Sequence, residues 1–473
     1  MSHKLTSNLI LNHIHKTLIC KRLLINQRLS RQFSSGNEDN SDGKLDFGSK
    51  LDKNSNKPDL KSTSKSEEKL DYIPNRIKRR LEQKGLSLED VEISRGPKQI
   101  EDLLESQVAP ENVKQVPIDF LSDLDAQRRF NRNQEKHSFR PPNVSPEDTS
   151  ILMFPGQGSQ FVGMGKKLLR YPGVEDIYNR ASEILGYDLL NLCLNGPAEK
   201  LQETIYCQPA VVVTSLAAME KLKEEHPNSL NHVVAVAGFS VGEITALAVT
   251  ETVTFEEAIQ IIKHRAAAMQ KASEAAAGGL LTVICDHKTQ LRVAMVAAKE
   301  YCRTELQMED PECSIANFLC TDVKVVGGDE AALQFLEKYG AEWGIKRTKR
   351  LAVSGAFHTN MMRVTGKEGW KFREMLQTVN FKEPKYPLHL NLDGKRLQTK
   401  REGQEPTLHW LMNTLAKQIK TPVKWEQMLH ILYTRPPEDP FPNTYEVGPG
   451  TQLGVLLKKT NLKAHNSYKN IEV

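Results

Sequence analysis

Little in this chain of 473 residues points to a metal, a disulfide or a membrane. Its seven cysteines (Cys20, Cys193, Cys207, Cys285, Cys302, Cys313 and Cys320) form an odd set without a C-x-x-C pair. Neither a disulfide framework nor a zinc site is suggested, and a reducing compartment fits best. The N-terminal apolar stretches, Leu9–Leu11 and Leu23–Ile25, are too short and interrupted for a secretory signal or a membrane span. No internal repeat is visible. Hydrophobic residues make up 39% of the chain, modest for a globular protein, so part of it is expected to lie outside a packed core.

Acidic residues are also missing where basic ones are plentiful. Residues 1–36 hold Lys4, Lys16, Lys21, Arg22, Arg28 and Arg31, with no Asp or Glu before Glu38. Mixed with Leu, Ile, Ser and Asn, this is the composition of a mitochondrial transit peptide, with the matrix as destination. Removing those six charges takes the formal net charge from +5 to −1. The basic balance is therefore an address, and no nucleic-acid partner is expected. Residues 37–148 are polar and charged with no sustained apolar period and read as a largely disordered linker, with short helical patterns at 76–92 and 98–106.

From residue 149 the character changes. Ile151–Phe154 is a short buried-type strand that stops at Pro155-Gly156-Gln157-Gly158. Helical patterns follow through Leu185 and from Ala210 to Lys223, then a β-branched strand at Val233–Ala237 and a helix from Phe255 to Ala276. This alternation predicts an α/β fold. An insertion at 277–345 has the order β-α-β-β-α-β of a ferredoxin-like unit: strands Leu280–Cys285, Ser314–Ala316 and Val323–Gly327, helices at 288–301 and Glu330–Tyr339, and a closing strand near Ile345. Leu351–Val353 and Leu388–Leu392 are expected to return to the main sheet, and Tyr445–Val447 to close it.

Residues 238–242, Gly-Phe-Ser-Val-Gly, form a G-x-S-x-G nucleophile elbow between that strand and a helical pattern from Gly242. A serine on such a turn faces substrate, and flanking glycines leave no Cβ to clash where strand and helix crowd together. Ser240 is the candidate nucleophile. It needs a base, because an alcohol at its free pKa is a poor nucleophile. The Gly-rich turn at 156–158 is not a phosphate loop, since no Gly-Lys-Ser/Thr follows.

Five patterns in order resemble the malonyl-CoA:acyl carrier protein transacylase family, which includes the acyltransferase domains of fatty-acid and polyketide synthases. They are Phe154-Pro155-Gly156-Gln157-Gly158-Ser159-Gln160, Gly238 to Glu243, Arg265, Gly355-Ala356-Phe357-His358, and Glu446-Val447-Gly448-Pro449-Gly450. The resemblance spans about 150–465 and, with the presequence, is to a stand-alone mitochondrial member. It implies an α/β-hydrolase-like large subdomain with a mostly parallel sheet, plus the inserted ferredoxin-like subdomain, together making an acyltransferase domain over 149–473. It also implies His358 as the base and Gln418 as the residue whose backbone carbonyl orients that histidine. The oxyanion hole falls to the Gln157 and Val241 N–H groups, and Arg265 pairs with the free carboxylate of malonate. Phe239 stands where many bacterial members have histidine, outside the proton relay. Phe357 stands where bacterial members often have serine, and at this place accompanies malonyl selectivity. Asn317 matches a cleft-lining asparagine.

The implied reaction moves malonyl from malonyl-CoA through a malonyl-serine to the phosphopantetheine thiol of acyl carrier protein. No bound cofactor and no metal are expected, and the enzyme is expected to act as a monomer. Lys346, Arg347, Lys349 and Arg350, eight to twelve residues before His358, are candidates for docking an acidic carrier protein, or equally a charge-protected strand edge. A serine thioesterase or lipase-like hydrolase would share the elbow, but no Asp stands in triad order. An idle scaffold is opposed by the presence of Ser240, His358 and Arg265 together.

Overall fold

The computed structural model describes residues 136–473, apart from 354, 364–365, 399–408 and 437. The presequence, the two helical stretches before residue 107 and the linker up to 135 lie outside the described residues. Residues 136–148, assigned to the linker on sequence, pack on the domain instead: His137 is buried, Arg140 pairs with Asp439 at 3.6 Å, and Asn443 Nδ2 donates to Glu147 O at 2.6 Å.

The main sheet has the order β10-β9-β1-β2-β7, with β1 Ser150–Phe154, β2 Val233–Gly238, β7 Leu388–His389, β9 Asn443–Val447 and β10 Tyr468–Ile471, every pair parallel. β1 and β2 are buried at every position because both faces carry helices. Leu152 and Phe154 enter one core, whereas Ile151 and Met153 enter the other. The sequence reading ended the sheet at Val447; β10, only four residues and partly polar, adds a further edge strand. Leu388–Leu392 was also too long a strand, for the chain turns after His389 and Leu390 N–H donates to Lys395 O at 3.0 Å.

The insertion forms a second sheet from β3 Gly278–Ile284, β4 Cys313–Cys320, β5 Val323–Asp329 and β6 Arg347–Arg350, in the order β6-β3-β5-β4, with helices Leu291–Glu305 and Glu330–Tyr339 on one face. This is the ferredoxin-like arrangement. Its closing strand is the basic run itself rather than Ile345, which turns back onto Gly340 O and fills the small core. Leu351–Val353 likewise does not join the main sheet, since Leu351 N–H donates to Leu280 O and prolongs β6 against β3. A fifth strand, β8 Val423–Lys424, arrives from the large subdomain and pairs in parallel with Asn317–Phe318 of β4. Lys324 Nζ, 2.7 Å from Glu426 Oε2, ties the two parts together beside it. Among the described residues no helix is long and apolar enough to cross a membrane, and the six cysteines among them are free thiols.

Candidate active site

β2 runs straight into the elbow. A Cβ on Gly238 would lie 1.9 Å from the Gly242 carbonyl, and one on Gly242 would lie 2.2 Å from Phe154 O, so both positions admit only glycine. Between them Ser240 takes a left-handed φ of 52°, a conformation costing a non-glycine residue about 1–3 kcal/mol. His358 is left-handed as well, at φ 63°. The two strained turns bring Ser240 Oγ to 2.7 Å from His358 Nε2, across 118 residues of sequence.

The other ring nitrogen, Nδ1, faces the carbonyls of Gln418 at 2.9 Å and Thr421 at 3.2 Å. Carbonyls only accept, so Nδ1 carries the proton and Nε2 is left to accept from the Ser240 hydroxyl. Burial, and secondarily the Arg265 charge, push the histidine down to about 4, so the ring is neutral at physiological pH and its Nε2 is free to accept a proton. No carboxylate among the described residues backs it.

Arg265 sits on the helix Phe255–Ala275, which opens with a reciprocal capping box between Thr254 and Glu257. Ile261, Ile262, Ala266, Ala268 and Met269 bury the same helix, and Arg265 is drawn in with them to 1% exposure. Its Nη1 donates to Gln208 Oε1 at 2.7 Å; its Nη2 donates to Gln418 Oε1 at 2.8 Å and to Ser240 Oγ at 3.1 Å. These partners are neutral, Nε has none among the described residues, and no carboxylate there lies within ion-pair distance. Burial lowers the guanidinium to about 10, and the nearby charge of Glu243 opposes that fall. Glu243 is itself fully buried and pushed up to about 7 by burial. A desolvated cation held by amides is a site built to receive an anion.

Neither the Gln157 nor the Val241 backbone N–H has an acceptor among the described residues. The Gln157 side chain is anchored by Thr204 and Gln208 at 3.3 and 3.4 Å. Gln418 Nε2 donates to Ser240 O at 3.0 Å, fixing the peptide whose N–H belongs to Val241. Asn317 is buried on β4 with Oδ1 unpartnered among the described residues. Phe357 packs in the main core next to His358, and Phe239 makes an edge contact with Trp425 at 5.5 Å between ring centres. The basic run lies apart from these groups, at the outer edge of the small sheet. Lys346 is paired with Asp286 at 2.8 Å and Arg350 with Glu330 and Glu337 at 2.9 and 3.1 Å, leaving only Arg347 and Lys349 without a carboxylate partner among the described residues. No group of three or more His, Cys, Asp or Glu there could hold a metal ion.

The sequence reading gave no role to Glu243, Gln208, Thr421 or Asn391. Asn391 had a signal: it is a polar residue in the apolar run Leu388-His389-Leu390-Asn391-Leu392.

Residues 151–385 match the acyl transferase domain family. The human mitochondrial malonyl-CoA-acyl carrier protein transacylase is 43% identical over 328 residues, which span 69% of this chain and 81% of that protein. The chain belongs to the malonyl-CoA-acyl carrier protein transacylase family. Among solved members, the transacylase from Clostridium perfringens superposes with a TM-score of 0.58 at 26% identity, covering 68% of this chain and 93% of its own. A malonyl-transacylase solved in complex with its type II PKS acyl-carrier protein gives 0.56 at 27% identity, over 68% and 94%. Both share the α/β acyltransferase fold, with its parallel sheet and small subdomain.

Proposed function

We propose that this chain transfers malonyl from malonyl-CoA to the phosphopantetheine thiol of acyl carrier protein by a ping-pong route through malonyl-Ser240. The observation that carries the reading is Ser240 Oγ standing between a neutral imidazole and a fully buried guanidinium that has no ion-pair partner among the described residues. The malonate carboxylate pairs with Arg265 and places the thioester carbonyl over Ser240. His358 Nε2 takes the hydroxyl proton as Oγ attacks the carbonyl carbon, and the oxyanion points at the Val241 and Gln157 N–H groups. Collapse breaks the C–S bond, and His358 returns the proton to the departing coenzyme A thiolate. In the second half the carrier thiol gives its proton to His358 while sulfur attacks the ester, and Ser240 regains the proton as it leaves. A backbone carbonyl stabilises an imidazolium less than a carboxylate would, and a thioester's good leaving group makes that sufficient.

The carrier protein docks with help from Arg347 and Lys349, whose charges are not neutralised within the small subdomain. The presequence composition and the mitochondrial human relative support a mitochondrial, matrix location. Brief exposure to labelled malonyl-CoA tests the reaction. Stable label on Ser240 that moves to holo carrier protein supports it; label lost to water without carrier marks a hydrolase; no label at all marks an idle fold.

A further inference from the structure

β7 faces β2 through Leu388 and His389, with Pro387 O accepting the Val236 N–H at 2.8 Å, and past His389 the ladder continues by other means. Two residues on, the side-chain amide of Asn391 accepts the Ser240 N–H on Oδ1 at 2.6 Å and donates from Nδ2 to Gly238 O at 2.6 Å. One planar amide thus offers an acceptor and a donor, as a residue of a neighbouring parallel strand would. A regular strand could not follow the chain here, because Ser240 has left the extended region. A side chain can reach around the bend.

Asn391 is in turn held on both backbone groups. Its N–H donates to Glu243 Oε2 at 2.5 Å, in the first turn of the helix Gly242–Val249, and its carbonyl accepts the Lys424 N–H of β8 at 3.0 Å. The segment leading into β8 carries the Gln418 and Thr421 carbonyls that face His358. One buried residue therefore touches the end of the nucleophile's strand, the start of its helix, the serine's own N–H and the segment that orients the base.

The geometry points to Asn391 as a positioning residue for the transfer: it locks the peptides before Ser240 in the left-handed turn that aims Oγ at His358 and the Val241 N–H at the oxyanion. This inference rests on Ser240 being the nucleophile. Gln418 Nε2 holds the following peptide through Ser240 O, and because a trans peptide sets its C=O and N–H on opposite sides, the two amides together fix where the Val241 N–H points. Losing the Asn391 clamp frees the strained serine to relax and swing Oγ away from the base.

The test is Asn391→Leu, close in volume but without either polar group, followed by rapid quench of malonyl-Ser240 formation from malonyl-CoA. The acylation kcat should fall about 30- to 100-fold, the scale of an ångström-sized misplacement, with KM within about threefold because Arg265 is untouched. Asn391→Asp, which keeps the acceptor toward Ser240 but turns a carboxylate oxygen on Gly238 O, is the second variant and serves alone should the leucine variant not fold. Its rate should rise between pH 8 and 5.5 as that oxygen is protonated into a donor, whereas the parent, whose His358 stays neutral throughout that window, shows no such rise. The other ionisable groups around the clamp, Glu243, Asp393, Arg265 and His358, are the same in both proteins. A folded leucine variant with the parent's kcat, or an aspartate variant tracking the parent's pH profile at a constant fraction, overturns the inference. Acylation surviving in Ser240→Ala would instead overturn the nucleophile assignment, independently of Asn391.

Discussion

The two sheets of this molecule divide their labour unevenly. In the parallel sheet, β1 and β2 are buried at every residue and end abruptly at crowded turns. In the inserted antiparallel sheet, β6 alternates exposed Arg347 and Lys349 with half-buried Thr348 and Arg350 along a solvated edge. Ser240, Arg265, His358, Gln418 and Asn391 all come from the large subdomain, while in the insertion Asn317 lies on β4 where it pairs with β8. Rigid strand ends buried on both faces can hold strained turns and desolvated charge, whereas a charged strand edge left in water holds neither. Substitutions in the first should therefore disable chemistry, and substitutions in the second should tune binding.

The sharpest way to break that contrast is at the relay. Ser240→Ala should abolish malonyl-enzyme formation, and His358→Ala should slow it by about 10²–10⁴, measured as single-turnover acylation. Near-parental rates in either would move the chemistry elsewhere. Next comes Arg265→Ala, expected to cut malonyl transfer by at least about 30-fold, on the scale of an unpaired buried charge, while acetyl transfer is kept or gained. The malonyl-to-acetyl rate ratio is the readout, and a proportional loss in both would make Arg265 structural.

The same variant carries a pH signature. With Arg265 present the imidazole sits near 4, so the acid limb of kcat/KM for acylation should lie well below the ordinary histidine value of about 6.5. Arg265's positive charge disfavours a second one on the ring, so its removal raises the histidine pKa. The acid limb measured with acetyl-CoA should then move upward in Arg265→Ala. A downward or absent shift would contradict the coupling.

The insertion should respond more mildly. Asn317→Ala is expected to raise KM for malonyl-CoA about threefold with kcat nearly kept, the worth of one neutral hydrogen bond. Smallest of all, Arg347→Glu with Lys349→Glu should leave acylation by malonyl-CoA unchanged and slow transfer to carrier protein a few-fold at low salt, the difference fading as salt is added. A large acylation defect there would erase the distinction between the sheets.

What the sequence made legible follows the same division. The buried strand and glycines around Ser240 are local signals, and the alternating helices and strands of the insertion gave its topology. His358, Gln418 and Arg265 were reached through family resemblance, because nothing in their own spacing brings them to Ser240. The basic run, read equally as a docking patch or a charge-protected strand edge, is strand β6, and only its place as the closing strand was missed, since Lys and Arg leave no apolar alternation to mark it. Leu351–Val353 misled for the opposite reason, being apolar without joining the main sheet. Asn391 stood out only as a polar residue in a largely apolar run; its role, a side-chain imitation of a strand, could not be read from that, being set 151 residues from the serine it holds.

The glycines of the elbow bear on lineages that drift. Gly238 and Gly242 are fixed by contacts that would close to about 2 Å with any side chain, whatever the residue between them does. A descendant that abandoned the reaction could exchange Ser240 and His358 freely and still fold, but it would have to retain both glycines. Across a set of relatives, the glycines should therefore trace inheritance of the fold, and only the serine and histidine should separate working enzymes from silent copies.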